Sequence, residues 1–157
     1  MDSPVTPDFI AQNSTFLENV LEHRFIFDVS KDLLYKQKLI VNIMRSEVDA
    51  FGFDFVLSAG GRTVYIQMKT RSNIPPSNGY AIADALWTLD NAYVVWMLYN
   101  SEDLGIISYY CLDCSKSSPN TFPDSKRKGR RNVKMQKSTY RDLNLEELLG
   151  ILFPNSI

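Results

Sequence analysis

Hydrophobic residues follow a helical period near the start of the chain and a strand period through its middle. In the first part, apolar positions recur every three or four residues at Phe16, Leu17, Val20, Leu21 and Phe25. This stripe predicts an amphipathic helix that begins at Asn13-Ser14. Thr6-Pro7 is an earlier helix start, because a capping hydroxyl precedes a proline at the first helical position. Leu33-Leu34 either continues the long helix or opens a second one.

Apolar and β-branched stretches predict five strands, at 38–48, 53–57, 64–69, 92–99 and 105–112, with a further short strand at 133–135. Between the third and fourth strands, residues 80–89 have alanine, leucine and isoleucine at helical spacing and predict a helix. Polar residues 75–79 and 115–129 predict loops. Near the C-terminus, Asn144 and Glu147 have the spacing of a capping box, which predicts a final helix that Pro154 ends.

The resulting order, α-β-β-β-α-β-β-(β)-α, predicts one α/β domain over residues 1–157. Half of this length would be too short for a good core, and 45% hydrophobic with 22% charged residues is ordinary for a folded protein. No apolar run approaches the ~18 residues that span a bilayer. The N-terminus lacks the pattern of a signal peptide, so we expect a cytoplasmic protein without membrane contact.

Charge is unevenly distributed, although the net charge is only −1. Residues 126–141 contain eight basic residues and no acid: Lys126, Arg127, Lys128, Arg130, Arg131, Lys134, Lys137 and Arg141. Segregation of this kind indicates a surface that faces a polyanion, or else a solvated loop. We expect Arg71 and the first five of these basic residues to contact nucleic acid.

Two cysteines, Cys111 and Cys114, form a lone CxxC. A structural zinc site needs four ligands, and the single histidine, His23, is distant in sequence. We interpret the pair as small, half-buried side chains at the end of a strand.

The segment from Gly52 to Lys69 carries the chemistry. Gly60-Gly61 lies between two alternating runs and predicts a two-residue hairpin turn, since both turn positions need positive φ. In the register that this turn imposes, the apolar residues of both strands share one face, and a slip of one residue would break the pattern. The same register predicts that Phe53 lies opposite Met68 and that Asp54 lies opposite Gln67. Lys69 then points the same way as Gln67.

The motif resembles that of the PD-(D/E)XK, or restriction-endonuclease-like, nuclease superfamily. The run Glu47-Val48-Asp49-Ala50-Phe51-Gly52-Phe53-Asp54, followed by Gln67-Met68-Lys69, is similar to the motif of small members of that superfamily. The similarity covers roughly residues 14–112. It implies a core of the order α-β-β-β-α-β, with a mixed central sheet flanked by helices and, in this chain, a C-terminal helix.

The resemblance implies a role for each matched residue. Asp54, the side-chain carbonyl of Gln67 and the backbone carbonyl of Met68 would bind Mg²⁺ or Mn²⁺, and Lys69 would orient the attacking water and stabilise charge on the phosphate. A glutamate of the first helix often completes such sites, and here it is either Glu18 or Glu22. Gln67 departs from the usual carboxylate and should weaken metal binding, although Glu47 and Asp49 offer replacement charge.

Three functions follow as hypotheses. The first is a metal-dependent nuclease that hydrolyses DNA phosphodiester bonds in genome defence or repair, and enzymes of this fold often act as homodimers. The second is a catalytically impaired protein of the same fold that binds nucleic acid or a protein partner, which the neutral Gln67 favours. The third is an interaction module with no nucleic-acid role.

Overall fold

The computed structural model describes residues 5–48, 50–72, 79–135 and 140–154. Three α-helices are present in these ranges: α1 (Pro7–Gln12), α2 (Ser14–Gln37) and α3 (Leu145–Leu152). The strands are β1 (Asn42–Arg45), β2 (Phe55–Ala59), β3 (Arg62–Ser72), β4 (Tyr80–Ala83), β5 (Ala92–Tyr99), β6 (Ile106–Asp113) and β7 (Arg130–Val133). Short 3-10 helices lie at Asp84–Thr88, Cys114–Lys116 and Pro119–Thr121.

The helix ends follow the predicted caps. The Thr6 hydroxyl accepts a hydrogen bond from the N–H of Phe9 at the start of α1. The second helix begins at Ser14 and continues through Leu33-Leu34 to Gln37, so these leucines belong to one long helix. At the start of α3, Asn144 and Glu147 form the reciprocal capping box.

The main sheet has five strands in the order β1-β2-β3-β5-β6. The central pair β3–β5 is parallel, whereas the other three pairs are antiparallel. A parallel pair requires a crossover, and β4 with the 3-10 helix at Asp84–Thr88 lies in that connection. A second sheet is formed by the antiparallel pair β4–β7. The predicted fold class, a mixed central sheet flanked by helices with a C-terminal helix, is confirmed.

Each face of the main sheet covers a separate core. On the first face, α2 and α3 bury residues such as Phe25 and Leu149 against Ile66 and other inward positions of the sheet. On the second face, β4, β7 and the 3-10 helices pack over Trp96, whose side chain is fully buried. Because β5 is covered on both sides, its buried residues run almost without interruption.

The helix predicted at 80–89 is wrong. Residues 80–83 form β4 instead, because β7 supplies a strand partner: Tyr80 pairs with Val133 and Ile82 with Arg131. Only Asp84–Thr88 is helical, as a 3-10 helix. Pairing with a strand that is distant in sequence has overridden the local helical spacing.

Other predictions differ in extent. The strand predicted at 38–48 is limited to Asn42–Arg45, and the one predicted at 133–135 is Arg130–Val133. Most of the loop predicted at 75–79 lies outside the described residues. Among the described helices, none has the length and apolarity needed to cross a lipid bilayer.

Candidate active site

The carboxylate of Asp54 lies where β2 and β3 separate. Regular pairing ends at Phe55 and Ile66, and the N–H of Asp54 also donates to the Ile66 carbonyl at 2.8 Å. A ladder continued in register would bring the N–H of Met68 to the carbonyl of Phe53. Instead, this N–H donates to Oδ2 of Asp54 at 2.6 Å. The carboxylate therefore ends the ladder, through a charge-assisted hydrogen bond.

This irregularity corrects the predicted register at one end of the hairpin. The pairs from Ala59 with Arg62 to Phe55 with Ile66 form as predicted around Gly60-Gly61, whose φ values are 57° and 78°. Phe53, however, does not lie opposite Met68, and the predicted pairing of Asp54 with Gln67 is also wrong, because Asp54 lies beside Phe55 opposite Ile66. The ring of Phe53 packs 5.2 Å from that of Tyr65 on the second face, while Met68 belongs to the core of the first face. Asp54 is an extra residue opposite Ile66, and it breaks the alternation of side chains between the two faces of the sheet.

Gln67 is a buried polar residue at the second ligand position. It is only 3% exposed, and its Oε1 has no hydrogen-bond partner among the residues that the structure describes. Its register partner on the parallel strand β5 is Val94, which belongs to the core of the second face. A buried amide oxygen without a partner carries a desolvation cost, so it is suited to a cation or a water molecule that completes its coordination.

Lys69 follows two residues later and points to the same side of β3 as Gln67. Its register partner is Trp96 on β5, and its side chain is half-buried. Lys69 forms no ion pair with any residue in the described part of the chain. Its ammonium is therefore available to a ligand at this end of the hairpin.

The sequence did not decide whether Glu18 or Glu22 joins the site, and Glu22 is the one whose pKa responds to Asp54. Burial raises the pKa of Glu22, and the negative charge of Asp54 raises it further. The guanidinium of Arg45 opposes both effects from 2.8 Å. Glu18 is exposed on the same helix and acts on Glu22 only as a weaker, more distant charge. The fold thus brings Glu22 toward Asp54.

Arg45 has no counterpart in the sequence-based prediction. It is the last residue of β1, and its Nη2 donates to Oε2 of Glu22. Nothing in the local pattern marks it, because the contact joins residues that are 23 positions apart.

A divalent cation fits the donors at this site. Within the described ranges, His, Cys, Asp and Glu side chains form no cluster of three that would suit a metal. This end of the hairpin has the Asp54 carboxylate, which accepts from the Met68 N–H, and the amide oxygen of Gln67, the residue before Met68. Both are hard donors of the kind that Mg²⁺ and Mn²⁺ accept. The unsatisfied state of that amide oxygen is the observation that favours a cation here. Glu47 is exposed, and Asp49 lies outside the described residues.

The basic residues predicted to contact nucleic acid occupy the loop into β7 and its first residues. Lys126, Arg127 and Lys128 are exposed at a turn that is closed by a hydrogen bond from the Arg130 N–H to the Arg127 carbonyl. Arg131 is anchored, because its guanidinium contacts Asp84 at 3.0 Å and Asp124 at 2.8 Å. We call residues 126–130 the basic turn.

The basic turn approaches the chain just before Asp54. Arg130 pairs with Ala83 across the small sheet. Gly52 lies against the same Ala83, so closely that a Cβ on Gly52 would be 2.5 Å from the Ala83 Cβ. Only glycine fits this contact, and its φ of 78° also favours glycine. The contact brings the small sheet beside the residues that lead into the candidate site.

The two cysteines do not form a joint site. Cys111 packs against the core of the first face, whereas Cys114 is buried in the core of the second. Burial raises the pKa of both thiols, that of Cys114 to about 12, so both remain protonated at neutral pH. This agrees with the interpretation as packing residues.

Among solved structures, the chain is similar to Hjc, a Holliday junction resolvase of the archaeal hyperthermophile Archaeoglobus fulgidus. The two are 18% identical, with a TM-score of 0.43, and the match covers 82% of this chain and 99% of that one. No family model matches the chain, and no curated protein matches it. A similarity this low says nothing about chemistry, so a function has to rest on the chain's own residues.

Proposed function

We propose that this chain is a divalent-metal-dependent nuclease that hydrolyses DNA phosphodiester bonds. The observation that carries the proposal is the buried Oε1 of Gln67, which has no hydrogen-bond partner within the described residues. Gln67 lies on β3, next to Met68, whose N–H donates to the Asp54 carboxylate. Lys69, on the same face of that strand, supplies the positive charge that such a reaction needs. A role in genome defence or repair is the biological setting that we propose with it.

In hydrolysis at this site, a few side chains would have separate roles, and the first of these roles is to hold the metal ion. Asp54 and Gln67, with the Met68 carbonyl, would hold Mg²⁺ or Mn²⁺, which when bound withdraws charge from the phosphate and acidifies water. The hydrogen bond from the Met68 N–H fixes Asp54, so its carboxylate needs little reorganisation.

Lys69 would act on the reacting groups themselves. Its ammonium would donate to the attacking water and to a non-bridging phosphate oxygen, on which negative charge increases as the new P–O bond forms. The P–O bond to the leaving sugar oxygen breaks, and that oxygen takes a proton from solvent. The proton of the attacking water is released to solvent.

Glu22 would supply a second carboxylate to the site. In the metal-free protein, its negative charge is offset by the ion pair with Arg45. A phosphate backbone that drew Arg45 away would free this charge for the cation. In this way substrate binding would strengthen metal binding.

Cleavage of plasmid DNA tests the proposal. Wild-type protein should nick or linearise plasmid with Mg²⁺ or Mn²⁺ and not with EDTA. Asp54→Asn and Lys69→Met should each lower the rate by about 10²-fold or more. Asp90→Asn and Lys116→Met are matched controls at exposed positions outside the candidate site and should cut normally. Equal rates in all five proteins would indicate a contaminating nuclease and contradict the proposal.

A second candidate function is a nuclease-fold protein that has lost catalysis and binds nucleic acid. The neutral amide at Gln67 favours it, as does the neutralisation of Glu22 by Arg45. Salt-sensitive DNA binding without cleavage under any divalent metal would identify this case. Restoring the carboxylate with Gln67→Glu is the sharper test, because a dormant site should gain metal-dependent cutting.

Simultaneous cutting of both strands requires two active sites, so a homodimer forms part of the nuclease proposal. Light scattering of the protein alone and with duplex DNA measures this directly. A monomer that only nicks plasmid would restrict the activity to single strands.

A further inference from the structure

We propose that Arg71 and the hydroxyl of Tyr80 form a phosphate-binding subsite beside the candidate metal site. The inference rests on the proposed function for its ligand, a phosphodiester of the nucleic-acid backbone. It adds a pair of residues that take no part in holding the metal.

Arg71 lies on the same side of β3 as the candidate active site. It follows Gln67 by four positions in a strand that is paired without interruption to β5, so its side chain emerges on the same face. At about 3.3 Å per residue, the two Cα atoms are about 13 Å apart. Arg71 would therefore contact a different phosphate from the one at the metal site.

The guanidinium of Arg71 is incompletely satisfied. Its Nε is buried and has no hydrogen-bond partner, and Arg71 forms no ion pair with any residue that the structure describes. A buried guanidinium nitrogen that lacks an acceptor carries a desolvation cost. A phosphate matches it well, because the guanidinium fork binds two phosphate oxygens at once.

Other arginines in the fold lack this property. Arg62 donates from Nε to the Leu152 carbonyl at 2.7 Å and from Nη2 to the Tyr93 hydroxyl. Arg131 is held by two carboxylates. Arg71 differs from both in having a buried nitrogen directed at no acceptor, which indicates that its acceptor comes from a ligand.

Tyr80 is the neighbouring hydroxyl best suited to share that ligand. The ring of Tyr80 lies against Trp96, which stands on β5 two residues before Leu98, the register partner of Arg71. The positive charge of Arg71 also opposes the rise in the pKa of Tyr80 that burial causes. The ring is fixed by an edge contact with Trp96, with ring centroids 6.1 Å apart. Tyr110 also faces the charge of Arg71, but it is almost fully buried, whereas Tyr80 is half-buried. Tyr80 therefore remains as a donor to the same phosphate.

The salt dependence of DNA binding tests this pair without relying on catalysis. Binding of short fluorescein-labelled duplex and single-stranded oligonucleotides is measured in EDTA over a range of salt concentrations. Loss of one phosphate contact should reduce the slope of log K against log salt by about 0.9 for the duplex, or about 0.7 for the single strand. Arg71→Gln should show this reduction. Arg71→Lys should restore the slope, because it keeps the charge, and Tyr80→Phe should weaken binding without changing the slope.

Arg24→Gln is the matched control, since it removes the same charge from an exposed residue of α2 that pairs with Asp28. It should leave the slope unchanged. Thermal melting of each variant identifies any that fail to fold, and Arg71→Lys keeps the test valid if Arg71→Gln is one of them. Equal slopes for wild type and Arg71→Gln would overturn the subsite, as would a wild-type protein that binds neither oligonucleotide.

Cleavage measured in parallel separates the two proposals. If wild type cuts plasmid but the salt slope is the same in wild type and Arg71→Gln, only the subsite is wrong. If the slope depends on Arg71 while no metal supports cutting, the subsite stands and the catalytic proposal fails.

Discussion

Replacing Gln67 with methionine is expected to stabilise the metal-free protein and to remove its response to divalent cations. The side chain is 3% exposed and its Oε1 has no partner, so the amide bears most of its desolvation cost, about 1–3 kcal/mol. Methionine has a similar shape and lacks that cost. In a domain of this size, 1 kcal/mol shifts the melting temperature by about 2–4 °C. The variant should therefore melt about 2–12 °C above wild type in EDTA.

The response to metal should change in the opposite direction. Wild type with Mg²⁺ or Mn²⁺ at a hundred times its Kd gains about 2.7 kcal/mol, because the ion binds only the folded state. Gln67→Met loses one of the few ligands and should lose most of this gain. Differential scanning fluorimetry in EDTA, followed by titration with MgCl₂ or MnCl₂, measures both effects in one experiment.

Gln37 provides a matched control at the end of α2. Its Oε1 is likewise buried without a partner, but it lies far along the chain from the candidate site. Gln37→Met should stabilise the protein by the same mechanism and leave the metal response intact. If Gln67→Met destabilises the metal-free protein, its amide makes interactions that support the fold. If metal raises the melting temperature equally in wild type and Gln67→Met, the residue is not a ligand, and the central observation behind the nuclease proposal is lost.

Three further predictions concern the surroundings of the site. Gly52→Ala should lower the free energy of unfolding in urea by about 1–3 kcal/mol more than Gly61→Ala does. Both glycines have a φ of 78°, but only a Cβ at Gly52 would clash with Ala83, so equal losses would contradict the close contact. The elevated pKa of Glu22 contributes stability that is present below its unfolded pKa and lost as pH rises through its folded pKa. The free energy of unfolding of wild type relative to Glu22→Gln should therefore fall with rising pH through the carboxyl range, and a constant difference would refute the shift. Arg131→Met should destabilise the fold by about 1 kcal/mol and weaken DNA binding, since it removes the anchor of the basic turn. Arg127→Met should weaken binding alone, and unchanged melting of both would refute the anchoring role.

The sequence was most informative where local rules act alone. The capping box at Asn144 and the Gly60-Gly61 turn require only neighbouring residues, and both formed as predicted. Strand β5 also has the predicted bounds, because its apolar run is bounded by turn residues on both sides.

Prediction failed where a distant partner decides the outcome. The segment 80–83 has helical spacing but pairs with β7, some fifty residues later. Likewise, Arg45 meets Glu22 only because β1 packs beside α2. Neither contact leaves a periodic signal in the chain, so each had to be seen in three dimensions.

The candidate site contains one part that the sequence predicted correctly and one part that it did not. Alternation along β3 correctly predicted that Gln67 and Lys69 share a face, since β3 is regular there. Alternation along β2 did not extend to Phe53, because Asp54 adds a residue opposite Ile66. One irregular residue was enough to change which side its neighbour faces.

Asp54 has a structural role that would exist without any metal. Where the ladder stops, the N–H of Met68 needs an acceptor, and the carboxylate provides it. An asparagine at this position would satisfy the same N–H without bringing a charge near Glu22, whose pKa Asp54 raises. Asp54→Asn therefore keeps the structural hydrogen bond and removes the charge. On the adjoining strand, the buried Gln67 oxygen has no partner among the described residues. The proposed cation would complete its coordination.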